Sequence, residues 1–97
     1  MYSSIRRYTT NPNDAAAIID LIKQGNIEER IGTLPGFKAY YIIDCGDGNL
    51  LTINVFEDRA DAELSNTIAA EWVKEFVLPN HSLPPPEITV GEVVLNA

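Results

Sequence analysis

Cations, thiols and histidine are all scarce in this chain. Seven Lys and Arg stand against fourteen Asp and Glu in 97 residues, a net charge of −7. Such a surface repels phosphate backbones and anionic headgroups, so neither nucleic acid nor an acidic membrane is an expected partner. The single cysteine, Cys45, excludes an internal disulfide and any site built on paired thiolates, and its expected place is half-buried at a strand end. His81 is the one histidine and reads as an exposed loop residue, with no HxxxH or CxxC pattern and no clustered carboxylates to suggest a metal site. No apolar run approaches the roughly 20 residues of a membrane span. The opening MYSSIRRYTT has no signal-peptide core, so a cytoplasmic protein is expected. Repeats and low-complexity linkers are missing too, which leaves one domain over 1–97, near the size at which a single core is adequate.

What is present alternates between strand and helix patterns. SSIRRYTT, residues 3–10, is rich in β-branched and aromatic residues and predicts a strand. Asn11 then suits a helix cap, Pro12 the first helical position and Asp14 the first turn, where exposed amides favour negative charge. Ile18, Leu21, Ile22 and Gly25 make one stripe, which would continue onto Glu28 and Glu29; a break at Gly25 and a short helical turn to about Ile31 are therefore expected. Two apolar runs around DCGDGN predict a hairpin whose glycines supply positive φ. That turn is not a calcium loop, because counting from Asp44 puts Gly46 and Val55 where ligands are needed. It is not a phosphate cradle either, since it opens no helix.

Asp58 is expected to cap the next helix, with Leu64, Ile68, Ala69, Trp72, Val73 and Phe76 as its apolar face. PNHSLPPPE, 79–87, forbids helix, and ITVGEVVL closes with a strand. The order β-α-β-β-α-β predicts an α+β, ferredoxin-like antiparallel sheet with its helices on one face.

The hairpin GFKAYYIIDCGDGNLLTINVFE is apolar on both parities. If Phe37, Ala39, Tyr41, Ile43, Leu51, Ile53, Val55, Val93 and Leu95 meet the helices, then Ile42, Leu50, Phe56, Val90 and Val94 face away. Leaving these in water makes a sticky surface, and a second copy stacked on it would bury both faces. The expectation is a homodimer of two sheets closed into a dimeric α+β barrel, which Phe56→Asp should dissociate.

In SIRRYTTNP, in PGFKAYYIIDCGDGNLLTINVFED and in the helix carrying AAEWVKE, the chain resembles the dimeric α+β barrel superfamily, in particular small antibiotic-biosynthesis-monooxygenase-like proteins. The resemblance implies a homodimer with a cavity between sheet and helices. In that family, cofactor-independent monooxygenases use a tryptophan beside an asparagine and a tyrosine or histidine; this chain offers Asn66, Trp72 and His81. Asn66 and Trp72 are about 120° apart on a helix of 3.6 residues per turn, so they share no face, and Trp72 is expected in the core.

The parity of Ile42 and Leu50 also carries Arg6, Tyr8, Lys38, Tyr40, Thr52, Asn54 and Glu92. Such groups pair or line a wet pocket when buried. Arg6, Lys38, Tyr40, Asn54 and Trp72 are accordingly the candidate ligand-binding residues, and no residue is assigned a catalytic role. The functional expectation is a small-molecule-binding homodimer, an oxygenase or isomerase of an aromatic or polycyclic compound, with no cofactor. The alternative is a non-catalytic dimeric structural or interaction module.

Overall fold

In the computed structural model, which describes residues 1–97, local chemistry sets each helix boundary. The Asp14 amide donates to Asn11 Oδ1 at 2.8 Å, and Asn11 Nδ2 donates back to Asp14 Oδ2 at 2.7 Å, starting α1 (Pro12–Gln24). The helix ends at Gly25, where a Cβ would lie 2.5 Å from the Ile22 carbonyl oxygen; only glycine permits that approach. α2 (Ile27–Gly32) follows, burying Ile27 and Ile31 while Glu28 and Glu29 stay exposed. The interruption expected at Gly25 is present.

The strands are β1 (Tyr2–Thr9), β2 (Phe37–Gly46), β3 (Asn49–Phe56) and β4 (Glu87–Glu92), antiparallel in the order β2-β3-β1-β4. α3 (Arg59–Phe76) crosses behind β1, β3 and β4. The turn between β2 and β3 uses positive φ at Gly46, Asp47 and Gly48, and a Cβ on Gly48 would collide with the Thr10 carbonyl. The final strand is shorter than the sequence suggests. It stops at Glu92, and Val94 and Leu95 are exposed.

Two expectations need correction. The ferredoxin-like order holds, but the sheet is open: β2 and β4 are unpaired edges, and no dimeric α+β barrel is formed. Four strands are too few to close on themselves, since about eight are needed to surround even a side-chain-filled interior. The barrel was inferred from a face needing a cover, and that face is covered by the chain's own helices. Ser4, Arg6, Tyr8, Leu50, Thr52, Asn54 and Phe56 are buried beneath them, while Tyr41 and Ile43 are exposed. The two sheet faces are therefore interchanged relative to expectation. Phe37 and Lys38 depart from this interchange, because a bulge between Phe37 and Ala39 brings Phe37 edge-on to Phe56 on the helix side and leaves Lys38 exposed.

The cause lies in α3. Its buried residues are Ala62, Ser65, Ala69 and Trp72, whereas Leu64 and Phe76 are exposed. Three small side chains bring the helix close to the sheet and leave room for long polar groups from β1 and β3. Of the stripe expected to be buried, Ala69 and Trp72 are buried and Ile68 and Val73 pack against the core, while Leu64 and Phe76 at its ends are exposed.

Candidate functional site

Arg6 projects from the middle of β1 into the layer between sheet and helices and is 1% exposed. Its Nη1 donates to Asn66 Oδ1 at 2.8 Å and weakly to Ser65 Oγ at 3.5 Å, and Nη2 donates to Asn54 Oδ1 at 2.9 Å. Asn66 Oδ1 also accepts from Ser4 Oγ at 2.6 Å, while Ser65 Oγ donates to the Ala62 carbonyl at 2.7 Å. Every acceptor around the guanidinium is neutral. The molecule's ion pairs are Arg30–Glu75, Lys38–Glu57, Arg59–Glu63 and His81–Asp14, so Arg6 has no carboxylate. A buried ion without a countercharge costs several kcal/mol, offset only in part by neutral hydrogen bonds. Three polar atoms beside this cluster are buried without a partner: Arg6 Nε, Thr52 Oγ1 and Asn54 Nδ2.

Tyr8 and Tyr40 complete the group. Burial pushes both phenols above their ordinary range, and the positive charge of Arg6 pulls each part of the way back. Tyr40 is raised further by its neighbour Tyr8, and slightly by Glu28. No cluster of three or more His, Cys, Asp or Glu could hold a metal ion.

Next to the polar group lies an apolar cavity of about 30 Å³, room for a single water. Its walls come from Tyr8, Tyr40, Ile42, Leu50 and Thr52 of the sheet, Ile18 and Ile22 of α1, Ile27 of α2, Ala69, Trp72 and Val73 of α3, and Leu83. Trp72 is held by its Nε1 donating to Asn26 Oδ1 at 3.1 Å and by Phe76 tilted against it, ring centroids 5.6 Å apart. Tyr8, Val73 and Leu83 also line an outer groove of about 210 Å³ under Pro84–Pro86, whose opposite wall includes Asn66. These three side chains separate cavity from groove.

Of the five candidate residues, four lie in the interlayer. Tyr40 and Trp72 line the cavity, and Arg6 and Asn54 form the polar cluster beside it. Lys38 is elsewhere, half-exposed at the bulge and paired with Glu57 at 3.1 Å. Trp72 is buried, as its place in the helix suggests. Asn66, Trp72 and His81 do not converge: they bond Arg6 and Ser4, Asn26, and Asp14 respectively. His81 is only partly exposed, with Nδ1 3.1 Å from Asp14 Oδ1, and this pair fixes the proline-rich segment to the start of α1. Hydrogen bonds to Asn11 first, and then to His81, hold the Asp14 carboxyl below the usual range. Cys45 is a free, exposed thiol rather than a half-buried one. Sequence reasoning missed Ser4 and Ser65. The available signal was Ser65 on the small-residue stripe Ala62, Ser65, Ala69, where a hydroxyl among alanines marks a polar partner on the facing strand.

The sequence matches no family model and no curated protein. Solved structures share its fold. A protein of unknown function from Nitrosomonas europaea, NE2512, superposes with a TM-score of 0.76 at 19% identity, over 99% of this chain and 91% of the other. The monooxygenase ActVA-Orf6 of Streptomyces coelicolor, solved with nanaomycin D, gives 0.67 at 16% identity, over 99% and 92% of the two chains. SnoaB, a cofactor-independent oxygenase from Streptomyces nogalater, gives 0.64 at 13%, over 98% and 94%. At these identities the likeness is one of fold.

Proposed function

We propose that this chain binds a small aromatic or polycyclic compound between its sheet and helices, and in the finer reading oxygenates or isomerises it without a cofactor. One observation carries the proposal: an apolar cavity walled by Trp72, Tyr8 and Tyr40 abuts a buried, incompletely satisfied polar cluster. A few polar groups fixed in an apolar wall are the usual make-up of a small-molecule site. The cavity's volume is about a tenth of the several hundred Å³ typical of such sites. Binding therefore requires Leu83 and its neighbours to shift and join the cavity to the groove under Pro84–Pro86. That segment is tied down by His81 and the Ser82 amide on Asp14, by the Thr10 hydroxyl donating to the Ser82 carbonyl at 2.6 Å, by the Asn80 and His81 amides donating to the Val77 carbonyl, and by Leu83 in the core. Neighbours of the same fold include a monooxygenase solved with nanaomycin D and a cofactor-independent oxygenase, which supports the oxygenase reading by analogy. Tyr8 and Tyr40 are the proton-transferring groups nearest such a ligand.

Arg6, Tyr40, Asn54 and Trp72 belong to this site; Lys38 does not. Trp72 provides the test, because it is the only tryptophan and sits in the wall. Titration with hydroxylated naphthalenes and anthracenes should quench its fluorescence saturably, and Leu83→Phe, which narrows the passage from groove to cavity without adding a second tryptophan, should abolish the response. No saturable quenching by any aromatic compound would refute the proposal.

The outer sheet face favours a second reading alongside the first, self-association as a homodimer. Ile5, Ile53, Val55, Tyr41 and Ile43 are only partly covered or exposed there, and an apolar face of that kind marks a contact surface.

A further inference from the structure

The polar cluster points to the charge of the ligand, an inference that rests on the proposed binding site. Arg6 is a permanent cation at 1% exposure with no carboxylate in contact, and its neighbours Asn54, Ser65 and Asn66 are neutral. Two N–H donors there are unused, Arg6 Nε and Asn54 Nδ2, and so is the Thr52 hydroxyl. All three belong to residues at least nine-tenths buried. Cross-strand pairing puts them together, since Arg6 is directly opposite Thr52 and Ser4 opposite Asn54 on the next strand. Thr52 also lines the apolar cavity, so unused donor capacity meets the space a ring would occupy.

A purely structural cluster would use its donors on acceptors from the chain, as nearly all buried groups do. Here supply exceeds demand: positive charge and hydrogen-bond donors are in surplus, and no anion answers them. The groups facing Arg6 from the other elements do not change this balance. α3 contributes only Ser65 and Asn66, and the tyrosines Tyr8 and Tyr40 are kept protonated by their burial.

We infer that the site takes an apolar ring bearing one anionic oxygen, a ring carboxylate or an ionised ring hydroxyl, with Arg6, Asn54 and Thr52 as the groups that bind that oxygen. The ring lies in the cavity against Trp72, and the oxygen faces the guanidinium. Tyr8 and Tyr40 show that the charge of Arg6 alone does not ionise a buried phenol, since burial outweighs its pull on both. A bound ring hydroxyl is shifted toward its anion because it also accepts from the unused Arg6 Nε and Asn54 Nδ2 donors.

Three compounds with one ring and different charge decide the matter: para-nitrophenol, para-nitrobenzoate and para-nitroanisole. The wild-type protein should bind nitrobenzoate or nitrophenolate at least tenfold more tightly than uncharged nitroanisole. Bound nitrophenol should show the phenolate absorption band at a pH where the free compound is mostly protonated, with its apparent pKa lowered by a unit or more. Tighter binding of nitrobenzoate identifies a carboxylate ligand, and tighter binding of nitrophenolate a hydroxyl one. Arg6→Gln should remove the preference for the anion, bringing the affinity ratio of nitrobenzoate or nitrophenolate to nitroanisole to about one. If that variant does not fold, the wild-type affinity ratio and the absorption band still decide. Nitroanisole binding as well as the anions, with nitrophenol bound in its protonated form, overturns the inference and leaves the aromatic site standing. Failure of all three to bind overturns both.

Discussion

The covered face of the sheet holds more buried polar groups, and the open face more apolar ones, than a sheet covered on one side usually does. The face beneath the helices carries Ser4, Arg6, Thr52 and Asn54, all buried, together with Tyr8 and Tyr40. The open face carries Ile5, Ile53, Val55, Tyr41 and Ile43. In a one-sided sheet the core face is normally apolar and the outer face polar. Here polar groups are retained among Leu50 and Phe56 of the covered face at a cost in desolvation, and apolar groups are retained on the open face, where they invite contact. The buried apolar cluster draws on both layers, with Tyr8, Leu50 and Phe56 from the sheet and Ile18, Ile27, Ile31 and Trp72 from the helices.

The strongest way to break this comparison is to place the same carboxylate on each face. Phe56 is 0% exposed and meets Phe37 edge-on with centroids 5.8 Å apart, so Phe56→Asp buries an unpaired charge and empties a ring-sized space. Loss of more than about 4 kcal/mol is expected, enough to unfold a domain of this size, read as collapse of the far-ultraviolet dichroism. Tyr41 is 59% exposed on the other face, and Tyr41→Asp should cost about 1 kcal/mol or less while reducing the sedimenting mass if copies associate there. If the two variants exchanged phenotypes, Phe56→Asp folded but dissociated and Tyr41→Asp unfolded, the assignment of faces would be reversed.

That reversal is the point at which the sequence misleads, for a definable reason. Alternation along a strand shows which residues share a face, and Arg6, Tyr8, Tyr40, Thr52 and Asn54 do share one. It does not show which face meets the helices when both are apolar. The deciding information is in α3, where Ala62, Ser65 and Ala69 form the close-approach stripe, and a search for large apolar side chains passes over it. Element order, the cap at Asn11 and the break at Gly25 were legible because each depends on neighbours in sequence. The Arg6–Asn66 bond spans sixty residues and has no local signature. Lys38 was misplaced by the bulge after Phe37, a one-residue irregularity that re-aims the side chains on one side of it.

The inner face can be sharpened through its tyrosines. Burial raises the pKa of Tyr8 and Tyr40 above the ordinary value of 10.0, whereas in the unfolded chain both titrate near it. Above that pH the unfolded state has lost protons that the folded state retains, so stability must fall as pH rises. The slope is up to about 1.4 kcal/mol per pH unit for each tyrosine, until the folded pKa is reached. Urea midpoints measured from about pH 9 upward should decline, and Tyr8→Phe and Tyr40→Phe should each flatten the decline above the tyrosine pKa of about 10. An unchanged slope in both variants would mean that neither hydroxyl is as buried as the interlayer requires.

The smallest effect is expected at Lys38, which separates membership of the polar group by sequence from membership by position. Its Nζ is 3.1 Å from Glu57 Oε2, but the two side chains are 47% and 59% exposed, and exposed pairs contribute about 0–1 kcal/mol. Solvent and salt screen the charge, and holding two long side chains in one geometry costs entropy that cancels much of the attraction. Lys38→Ala should therefore move the unfolding midpoint by less than about 0.5 kcal/mol at moderate salt and leave Trp72 quenching by aromatic ligands untouched. The same substitution would weaken ligand binding if Lys38 faced the cavity with Tyr40, as unbroken alternation from Phe37 to Ile42 would have it. A drop in aromatic affinity without a drop in stability would thus place Lys38 inside the site and remove the bulge, and the face assignment around it would have to be redrawn.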